Sequence, residues 1–558
     1  MQTMMTILLL IQDLLRNLLV LLGNILVSIL PKPDYVTIDL EGPFPQRRVR
    51  PRFPGQPVPL SLETLRERLS RVVADPRVKG VVAKVGDLPA GLATVESLRN
   101  AFREVREKGK RVVFYLPSAD LRRYYLASVG DAVVMPESGD LSITGLRLEV
   151  SFYRRGLDRL GIEPQFDRIA EYKTAADPFL YPEMQRPHRE NLESILDGLF
   201  EHMVTEIARS RNLDPGAVRQ AINEAPLTPE EARAAGLVDA LLYEDELPTF
   251  LGTPEKPSRI LPWRLARFRL RRRIVWRFRA RGVIGVVQVL GIIAPGESRD
   301  LPLLGPVSGA DTIVRALRAA ERHPRVRAVV FYVNSRGGSA LASDMIWREV
   351  SRLANRKPVV AAMGDVAGSG GYYVACGAPY LIAHPATITG SIGVVVGKFF
   401  LGNFLERWGI HREILTRGAQ ATIESPFSPY SPKEWERLRK LMEEIYARFL
   451  SRVSEGRKKR KEEVIPIAGG RIWTGSQAHS LGLVDELGDF ETAIDRARGL
   501  AGFPPEAEVP VVTISPPRAV PIPTPARVLL DLEGAFQVLR SLGSETALAL
   551  MPWDIWIG

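Results

Sequence analysis

Hydrophobic and polar residues follow two different patterns along this chain. Short apolar runs rich in β-branched residues, such as GVVAKV (80–85) and AVVFYV (328–333), are typical of buried parallel strands. Between them lie longer segments with apolar residues on one face, such as ATVESLRNAFREVREKG (93–109) and ASDMIWREVSRLANRK (342–357), which predict amphipathic helices. Strands that alternate with helices predict βαβ units with right-handed crossovers, and therefore an α/β fold.

The same series of patterns occurs twice, at an offset that is 248 residues over most of the repeat. RVKGVVAKV, which begins at Arg77, matches RVRAVVFYV, which begins at Arg325, and Gly161 has its counterpart in Gly409. Six such matches follow one another in the same order, which a shared composition bias would not produce. The chain therefore contains two homologous halves, and each is predicted to be an α/β domain.

The segments outside the repeat have compositions of their own, which divide the chain into five predicted parts. Eight prolines between Pro504 and Pro525 are typical of an extended linker, and an amphipathic stretch and an apolar, tryptophan-bearing end follow them. The predicted parts are an N-terminal membrane anchor (1–34), a first half (35–250), a basic linker (251–282), a second half (283–505), and a proline-rich linker with a C-terminal amphipathic tail (506–558).

The first thirty residues are mainly apolar, although Asp13, Arg16, Asn17 and Asn24 interrupt them. A single helix from Met4 to Leu30 would be long enough to span a bilayer. The basic start and small-residue cleavage site of a cleavable signal peptide are not evident. We therefore predict a single N-terminal anchor in the cell membrane. The alternatives are a helix that lies on the membrane surface and one that is buried in the protein.

Composition and charge narrow the classes of function. The 558-residue chain is 45% hydrophobic and 25% charged, as folded proteins are, and its single cysteine, Cys376, excludes an intrachain disulfide framework and a cysteine-built metal cluster. The net charge of +11 is concentrated between Lys256 and Arg281, where ten arginines and one lysine occur without an acid. Arginines interleaved with aromatic residues favour contact with an anionic membrane, with an exposed linker as the alternative. We predict no nucleic-acid partner, no metal and no cofactor.

The stretch GDVAGSGGYY (364–373) holds one serine, Ser369, among small residues, as a nucleophile open to a substrate requires. At the offset of 248, the first half has Leu121 in place of this serine. Conversely, EYKTAADPF in the first half carries Lys173, and the second half has Ala421 at the same offset. This complementary loss predicts one composite site built from both halves, with ordinary sequence drift as the alternative.

A serine hydroxyl becomes a good nucleophile only when a neighbouring base takes its proton. His384 is the nearest candidate among the histidines, but its context, AHPATITG, is typical of a strand end and a turn. Lys173 can serve instead if burial keeps it neutral. Ala175, Ala176 and Phe179 would exclude water from the lysine and favour its neutral form. Glu171 and Asp177 would instead favour its charged form.

An acyl-transfer site also needs backbone amides that stabilise the oxyanion. In YVNSRGGSA, which begins at Tyr332, we predict that a strand ends, that Gly337-Gly338 turns sharply, and that ALASDMIWREV begins a helix. Amides at such a turn are directed into a site with help from the helix N-terminus, although a plain turn or a phosphate cradle has the same pattern. The serine motif about thirty residues later favours the oxyanion role.

Four of these motifs resemble the signal peptide peptidase A family, also called protease IV, in its long duplicated form: YVNSRGGSALASD, GDVAGSGGYYVAC, TITGSIGVV and AEYKTAADPF. The resemblance covers residues 35–500. It implies two tandem α/β domains of the Clp-protease/crotonase fold. It also implies a Ser–Lys serine endopeptidase that hydrolyses cleaved signal peptides and other apolar peptides. The family further implies a homotetramer attached to membrane lipid, with its catalytic domains on the extracytoplasmic, periplasmic side.

Transferred residue by residue, the resemblance implies five site residues in this chain. They are Ser369 as nucleophile, Lys173 as general base, Ser391 as the residue that orients the lysine, and the amides of Gly338 and Gly370 as the oxyanion hole. The family usually has proline where this chain has Arg336, in NSRGG, and the arginine places a cation near the predicted substrate groove.

Two alternatives remain open from the sequence. A crotonase-like acyl-CoA enzyme would use the same fold and oxyanion chemistry without a nucleophile. A catalytically inactive membrane scaffold would keep the fold alone. A small-flanked serine complemented by a lysine favours the protease over both.

Overall fold

The computed structural model describes residues 2–49, 51, 57–272, 274, 282–301, 305–505, 507–515 and 548–550. Strands and helices alternate along both halves. From the N-terminus to Ala266 they are α1 (Gln2–Ile29), β1 (Tyr35–Leu40), α2 (Leu62–Ala74), β2 (Gly80–Val85), α3 (Leu92–Glu107), β3 (Arg111–Tyr115), β4 (Ser118–Asp120), α4 (Leu121–Ala127), β5 (Ala132–Met135), β6 (Asp140–Ser142), α5 (Arg154–Leu160), β7 (Glu163–Ile169), α6 (Asp177–Leu180), α7 (Arg186–Arg211), α8 (Pro215–Glu224), α9 (Pro229–Ala234), β8 (Ala240–Leu241), α10 (Leu247–Phe250), β9 (Ile260–Pro262) and α11 (Trp263–Ala266).

The second half carries the longest strands. Its elements are β10 (Val283–Ala294), β11 (Arg299–Leu301), β12 (Gly305–Gly309), α12 (Ala310–Arg322), β13 (Val326–Ser339), α13 (Ala340–Ala354), β14 (Val359–Gly368), α14 (Gly370–Ala375), β15 (Tyr380–Ala383), β16 (Ile388–Gly390), β17 (Val394–Phe400), α15 (Gly402–Arg407), α16 (Pro432–Arg457), α17 (Lys461–Val464), β18 (Ile472–Thr474), α18 (Gly475–Ser480), β19 (Glu486–Leu487), α19 (Phe490–Leu500), β20 (Val511–Thr513) and β21 (Leu548–Leu550).

Each half is built on a mainly parallel sheet. The first sheet has the strand order β8-β5-β3-β2-β1-β9, and all its neighbours are parallel. The second has β12-β10-β13-β14-β15-β19 as its parallel part, with β11 added antiparallel at one edge. The strands are buried because amphipathic helices cover them; in α12 the buried residues Ile313, Leu317 and Ala320 recur at helical spacing.

The offset of 248 residues found in the sequence also relates the elements. β1 begins at Tyr35 and β10 at Val283, whereas α3 begins at Leu92 and α13 at Ala340. The pairs α2 and α12, β3 and β14, and β5 and β15 begin at the same offset. The predicted fold class is therefore confirmed: the chain is an α/β protein with two tandem, duplicated halves and an apolar N-terminal helix.

One strand of the first half pairs with a strand of the second half. β7 of the first half pairs antiparallel with β17 of the second half along its whole length, from Ile169 opposite Val394 to Glu163 opposite Phe400. The second sheet thus includes a strand from the first half. The loop that follows β7 is the loop that carries Lys173, so this pairing brings the first half's lysine motif to the second half.

The packed halves extend beyond the predicted boundaries at residues 250 and 505. β9 pairs with β1, and Leu270 is buried against the first core, so part of the predicted basic linker belongs to the first half. β20 pairs with β10 beyond residue 505. A two- or three-residue strand has no periodic pattern, which is why composition did not reveal these additions. Residues 275–281, 516–547 and 551–558 lie outside the described residues.

The N-terminal helix α1 presents an apolar surface. Its segment Leu10–Ile29 has a mean hydropathy of 1.6 and is long enough to cross a membrane. Large side chains along it are exposed, for example Leu19 (69%) and Ile29 (79%). Near its end, Arg77 Nη1 donates a hydrogen bond to the carbonyl of Val27 (3.1 Å), which is favourable at the negative end of a helix dipole. The helix is consistent with membrane association.

Candidate active site

Ser369 lies at a sharp change from strand to helix. β14 ends at Gly368 and α14 begins at Gly370, so the serine alone makes the turn, with φ of 55° and ψ of −116°. This left-handed conformation is costly for a residue with a Cβ atom and persists only where the surroundings impose it. The amide of Ser369 donates to the carbonyl of Gly390 (2.7 Å), which holds the turn in place.

The glycines around Ser369 give close approach rather than flexibility. A Cβ atom on Gly371 would lie 2.4 Å from the carbonyl oxygen of Ser335 in β13. Only glycine therefore lets the start of α14 approach the end of β13 so closely. The two tyrosines that follow are anchors of this helix: Tyr372 Oη donates to the carbonyl of Leu483 (2.8 Å), and Tyr373 Oη donates to the carboxylate of Asp344 (2.8 Å).

Lys173 is held from the second half. The amide of its neighbour Tyr172 donates to the carbonyl of Gly469 (3.0 Å). A Cβ atom on Gly470 would lie 2.3 Å from the amide nitrogen of Lys173, so the backbones of the two halves touch there. Because Gly470 has φ of +82°, glycine suits this position on both counts. The lysine backbone is thereby fixed by residues 296 and 297 positions further along the chain.

The structure brings Lys173, Ser369 and Ser391 together. Lys173 Nζ lies 2.6 Å from Ser369 Oγ, 3.0 Å from Ser391 Oγ and 3.0 Å from the Ser391 carbonyl oxygen. The exposed fraction of all three residues is 0%. Ser391 follows β16 with φ of 54°, and its amide donates to the carbonyl of Arg471 (2.6 Å).

Burial lowers the pKa of the Lys173 ammonium group well below its ordinary value. The two carboxylates near it in sequence are directed elsewhere: Glu171 is exposed, and Asp177 forms an ion pair with Arg168. Burial raises the pKa of Asp177 to about 6, against the opposing effect of Arg168. These surroundings favour the neutral amine of Lys173, which is the form that accepts a proton.

The predicted turn at Gly337-Gly338 was wrong in detail, because β13 continues through both glycines to Ser339. Their φ angles of 100° and 154° let the strand follow β10, whose register with β13 shifts between Leu290 and Ile292. A Cβ atom on Gly338 would lie 2.0 Å from the carbonyl oxygen of Ile293. The helix then begins where predicted, at α13.

Two other predicted features fall in α14 and β13. Gly370 is the first residue of α14, where amide groups have no partner within the helix. Arg336 is half-buried within β13, and the strand pairing continues on both sides of it, from Ser335 opposite Ala367 to Gly337 opposite Ile292. The arginine in place of proline thus leaves the strand intact.

His384, the alternative base, lies in a different cluster. Its Nε2 atom is 2.8 Å from Ser97 Oγ, and its Nδ1 atom is 3.3 Å from a carboxylate oxygen of Glu96. Burial would lower the pKa of His384, but the hydrogen bond and charge of Glu96 outweigh it, so this pKa is raised. His202 contacts the other carboxylate oxygen of Glu96. This cluster joins the two halves through side chains that no motif revealed.

Within the described ranges, no group of three or more His, Cys, Asp or Glu side chains is placed to hold a metal ion.

The sequence matches the family model Peptidase family S49 over two regions, residues 104–253 and 351–503, one in each half. Serine protease SPPA, chloroplastic, from Arabidopsis thaliana is 31% identical over 478 residues, which cover 82% of this chain and 68% of that protein. Protease 4 from Haemophilus influenzae is 31% identical over 476 residues, which cover 80% of this chain and 74% of that protein. Among solved structures, a mutant of ClpP1 from Listeria monocytogenes matches 38% of this chain and 95% of its own, with 14% identity and a TM-score of 0.25.

Proposed function

Because the chain belongs to peptidase family S49 and is a serine protease, we propose that Ser369 is its nucleophile and Lys173 its general base. The observation that carries this proposal is the 2.6 Å distance between Lys173 Nζ and Ser369 Oγ in a fully buried setting. Serine proteases are named among the relatives of this chain, so the acyl-CoA enzyme and the inactive scaffold are set aside.

The hydrogen bonds around Lys173 suit a base. A neutral amine has two N–H groups and one lone pair. The carbonyl oxygen of Ser391 can only accept, and its hydroxyl oxygen is within the same distance, 3.0 Å. Donation of both N–H groups to Ser391 leaves the lone pair directed toward the hydroxyl of Ser369. Ser391 is then a positioning residue that orients the lysine.

The proposed reaction proceeds through an acyl-enzyme. Lys173 takes the proton from Ser369 Oγ as that oxygen attacks the carbonyl carbon of the peptide bond. The negative charge on the carbonyl oxygen is stabilised by the amides of Gly338 and Gly370. The lysine then gives its proton to the leaving amine, and the peptide C–N bond breaks. Water activated by the same lysine attacks the ester and releases the acid, which restores the serine.

We propose apolar peptides, including cleaved signal peptides, as substrates, and membrane lipid as the surrounding of α1. The exposed leucines of α1 support a membrane-attached enzyme, because an apolar helix placed in a bilayer would deliver the protease to peptides left in the same bilayer. From the resemblance described above, we further propose a homotetramer whose catalytic halves face the extracytoplasmic, periplasmic side. The five-part domain division is proposed with halves that extend to Leu270 and Thr513.

The test is peptide hydrolysis by the full-length chain in detergent. We expect Ser369→Ala and Lys173→Ala to lower kcat for an apolar fluorogenic peptide by at least about a thousandfold. Ser480→Ala and Lys440→Ala, which change exposed residues outside the site, serve as matched controls and should keep wild-type rates. A fluorophosphonate probe should label Ser369. Near-full turnover in either site variant, or a covalent adduct on another residue, would refute the assignment.

A further inference from the structure

The sheet is open next to Ser369. β14 pairs with β13 as far as Ala367 opposite Ser335 and then leaves the sheet to form the turn at the serine. The last residues of β13, from Gly337 to Ser339, therefore have an edge that β14 does not cover. An uncovered strand edge presents N–H and C=O groups that bind another extended chain.

A second strand edge faces the same space. β17 begins at Val394, three residues after Ser391, and β7 pairs with one edge of it. The first residues of β17 thus lie just after the positioning serine, and the last residues of β13 lie just before α13. We call the space between these two strand ends the groove. Its two sides are residues 337–339 and Val395.

The groove is occupied by this chain's own C-terminal segment. β21 pairs antiparallel with β13, with Leu548 opposite Ser339, Ala549 opposite Gly338 and Leu550 opposite Gly337. Leu548 is also paired antiparallel with Val395 of β17. The segment therefore bridges both strands and runs beside Gly338, one of the two proposed oxyanion residues.

We propose that residues 548–550 are an intramolecular ligand of the substrate groove and compete with peptide substrates for it. This inference rests on the proposed function, because it takes the groove beside Ser369 as the place where a peptide is held for hydrolysis. A peptide added as a strand to a sheet edge is bound through its main chain, which any extended substrate offers. A peptide that pairs with β13 on one side and with β17 on the other would be held in a fixed direction along the groove.

The chemistry of the segment agrees with that of the proposed substrates. From residue 547 to residue 551 the sequence is ALALM, entirely apolar and without charge. Residues 516–547 connect it to the second half, and a segment of that length spans on the order of 100 Å when extended, which is ample for binding within the same chain. A tether of this kind gives an effective concentration near the millimolar range.

The first test measures occupancy without using activity. In a Ser369→Ala background, which prevents the chain from being trimmed, Val395→Cys and Leu548→Cys should form an intramolecular disulfide on mild oxidation. The bond is detected by the mass of the linked tryptic peptides and by monomer mobility on a non-reducing gel. The matched control replaces Val395→Cys by Val512→Cys, an exposed position on β20, and should remain reduced. Absence of the 395–548 bond, or a disulfide-linked dimer instead, would overturn the inference.

The second test measures competition in the active, full-length enzyme. Leu548→Pro with Ala549→Pro removes two successive amide donors, which point to opposite sides of a strand. We expect KM for the fluorogenic peptide to fall about threefold to tenfold with kcat unchanged, because the tethered competitor is lost. Leu548→Val with Ala549→Ser keeps both amides and should behave as wild type. An unchanged KM in the proline variant, with intact masses verified, would overturn the proposal.

The two tests separate this inference from the proposed function. Loss of the tail in wild type but not in Ser369→Ala would support groove binding, since the segment must enter the site to be cut. If the 395–548 disulfide forms but Ser369→Ala and Lys173→Ala remain active, the groove inference stands and the dyad fails. If the dyad variants are inactive and the disulfide does not form, the dyad stands and the groove inference fails.

Discussion

Lys173 Nζ lies 2.6 Å from Ser369 Oγ, although the two residues belong to different halves and are 196 positions apart in the chain. Neither half contains both groups, because Leu121 and Ala421 stand at the duplicated positions. The site therefore exists only when β7 of the first half is paired with β17 of the second. Formation of the interface between the halves is therefore needed to bring the proposed nucleophile and the proposed base together.

The first prediction concerns the pH dependence of hydrolysis. Burial lowers the pKa of Lys173, and only the neutral amine accepts the serine proton. We expect kcat/KM to rise with pH through the lowered pKa of Lys173 and then to level off well below the pKa of about 10.4 of an ordinary lysine. A profile that keeps rising to pH 10 would mean that the lysine is not desolvated in solution.

Ser391→Ala is the informative control for that profile. The Ser391 hydroxyl oxygen lies 3.0 Å from Nζ, and such a hydrogen bond favours the ammonium form more than the amine. Its removal should lower the pKa of Lys173 further and so move the rising part of the pH profile to lower pH. We also expect kcat to fall about tenfold or more, because the lysine is less well oriented. A fall in kcat without a shift in the pH at which kcat/KM rises would indicate a structural effect only.

The second prediction concerns the stability cost of the site. Because the folded-state pKa of Lys173 is lowered, folding requires release of a proton at every pH between that value and about 10.4, so the lysine's contribution becomes more favourable as pH rises. Lys173→Met has no such group. The difference in free energy of unfolding should therefore shift in favour of the methionine variant as pH falls, by at most about 1.4 kcal/mol per pH unit.

Chemical denaturation of both proteins between pH 6 and pH 10 measures this slope. Lys440→Met, which removes an exposed lysine, should differ from wild type by an amount that does not change with pH. A Lys173→Met difference that is flat over the same range would contradict a neutral, buried lysine.

The sequence allowed the two catalytic candidates to be paired because each half served as a comparison for the other. The first half has Leu121 at the position of the serine, and the second half has Ala421 at the position of the lysine. Both differences are visible when the two halves are aligned, without knowledge of contacts between distant residues. The α/β class followed from periodicity in the same way, since α3 and α13 repeat apolar residues at helical spacing.

The remaining features depend on contacts between segments that are distant in the chain. β9, β20 and β21 are three residues long, too short for any periodic pattern, and each is defined only by the strand it joins. Glu96 occurs in a helix pattern that is typical of a solvated face, yet it is buried between His202 and His384. Glu96 is buried because the second half, which carries His384, packs against its helix.

The third prediction concerns this buried cluster. Burial would raise the pKa of Glu96, but hydrogen bonds and charges from His202 and His384 hold it well below its usual range. Tyr125 Oη also donates to this carboxylate (3.1 Å), and Asp365 and Asp489 add negative charge near His384. Glu96→Gln should lower the free energy of unfolding by about 3 kcal/mol, because it leaves a buried cation without its partner.

The effect should depend on pH with a defined sign. The pKa of His384 is raised, so its contribution is fully present below the unfolded value of about 6.5 and is lost as pH rises through the folded value. Glu96→Gln should thus cost more at pH 6 than at pH 9, as measured by urea denaturation. Glu443→Gln, at an exposed carboxylate, should cost less than about 0.5 kcal/mol at both. An equal cost of Glu96→Gln at both pH values would mean that His384 carries no charge.

The fourth prediction concerns Gly338, which the structure places where only glycine fits. A Cβ atom there would lie 2.0 Å from the carbonyl oxygen of Ile293, and β10 and β13 are paired at that point, so the clash is with backbone that has little freedom to move. Gly338→Ala should therefore displace the end of β13. We expect a loss of stability of about 2 kcal/mol or more.

Activity should suffer more than stability does. If the Gly338 amide stabilises the oxyanion, its displacement should lower kcat about a hundredfold or more per folded molecule, with the folded fraction measured by circular dichroism. Gly156→Ala is the matched control: nothing lies within 4 Å of its Cβ position in α5, and alanine there should stabilise the helix slightly. A Gly338→Ala enzyme with wild-type kcat would exclude this amide from the oxyanion hole, since a strand displaced by the new methyl group could not keep the amide aligned.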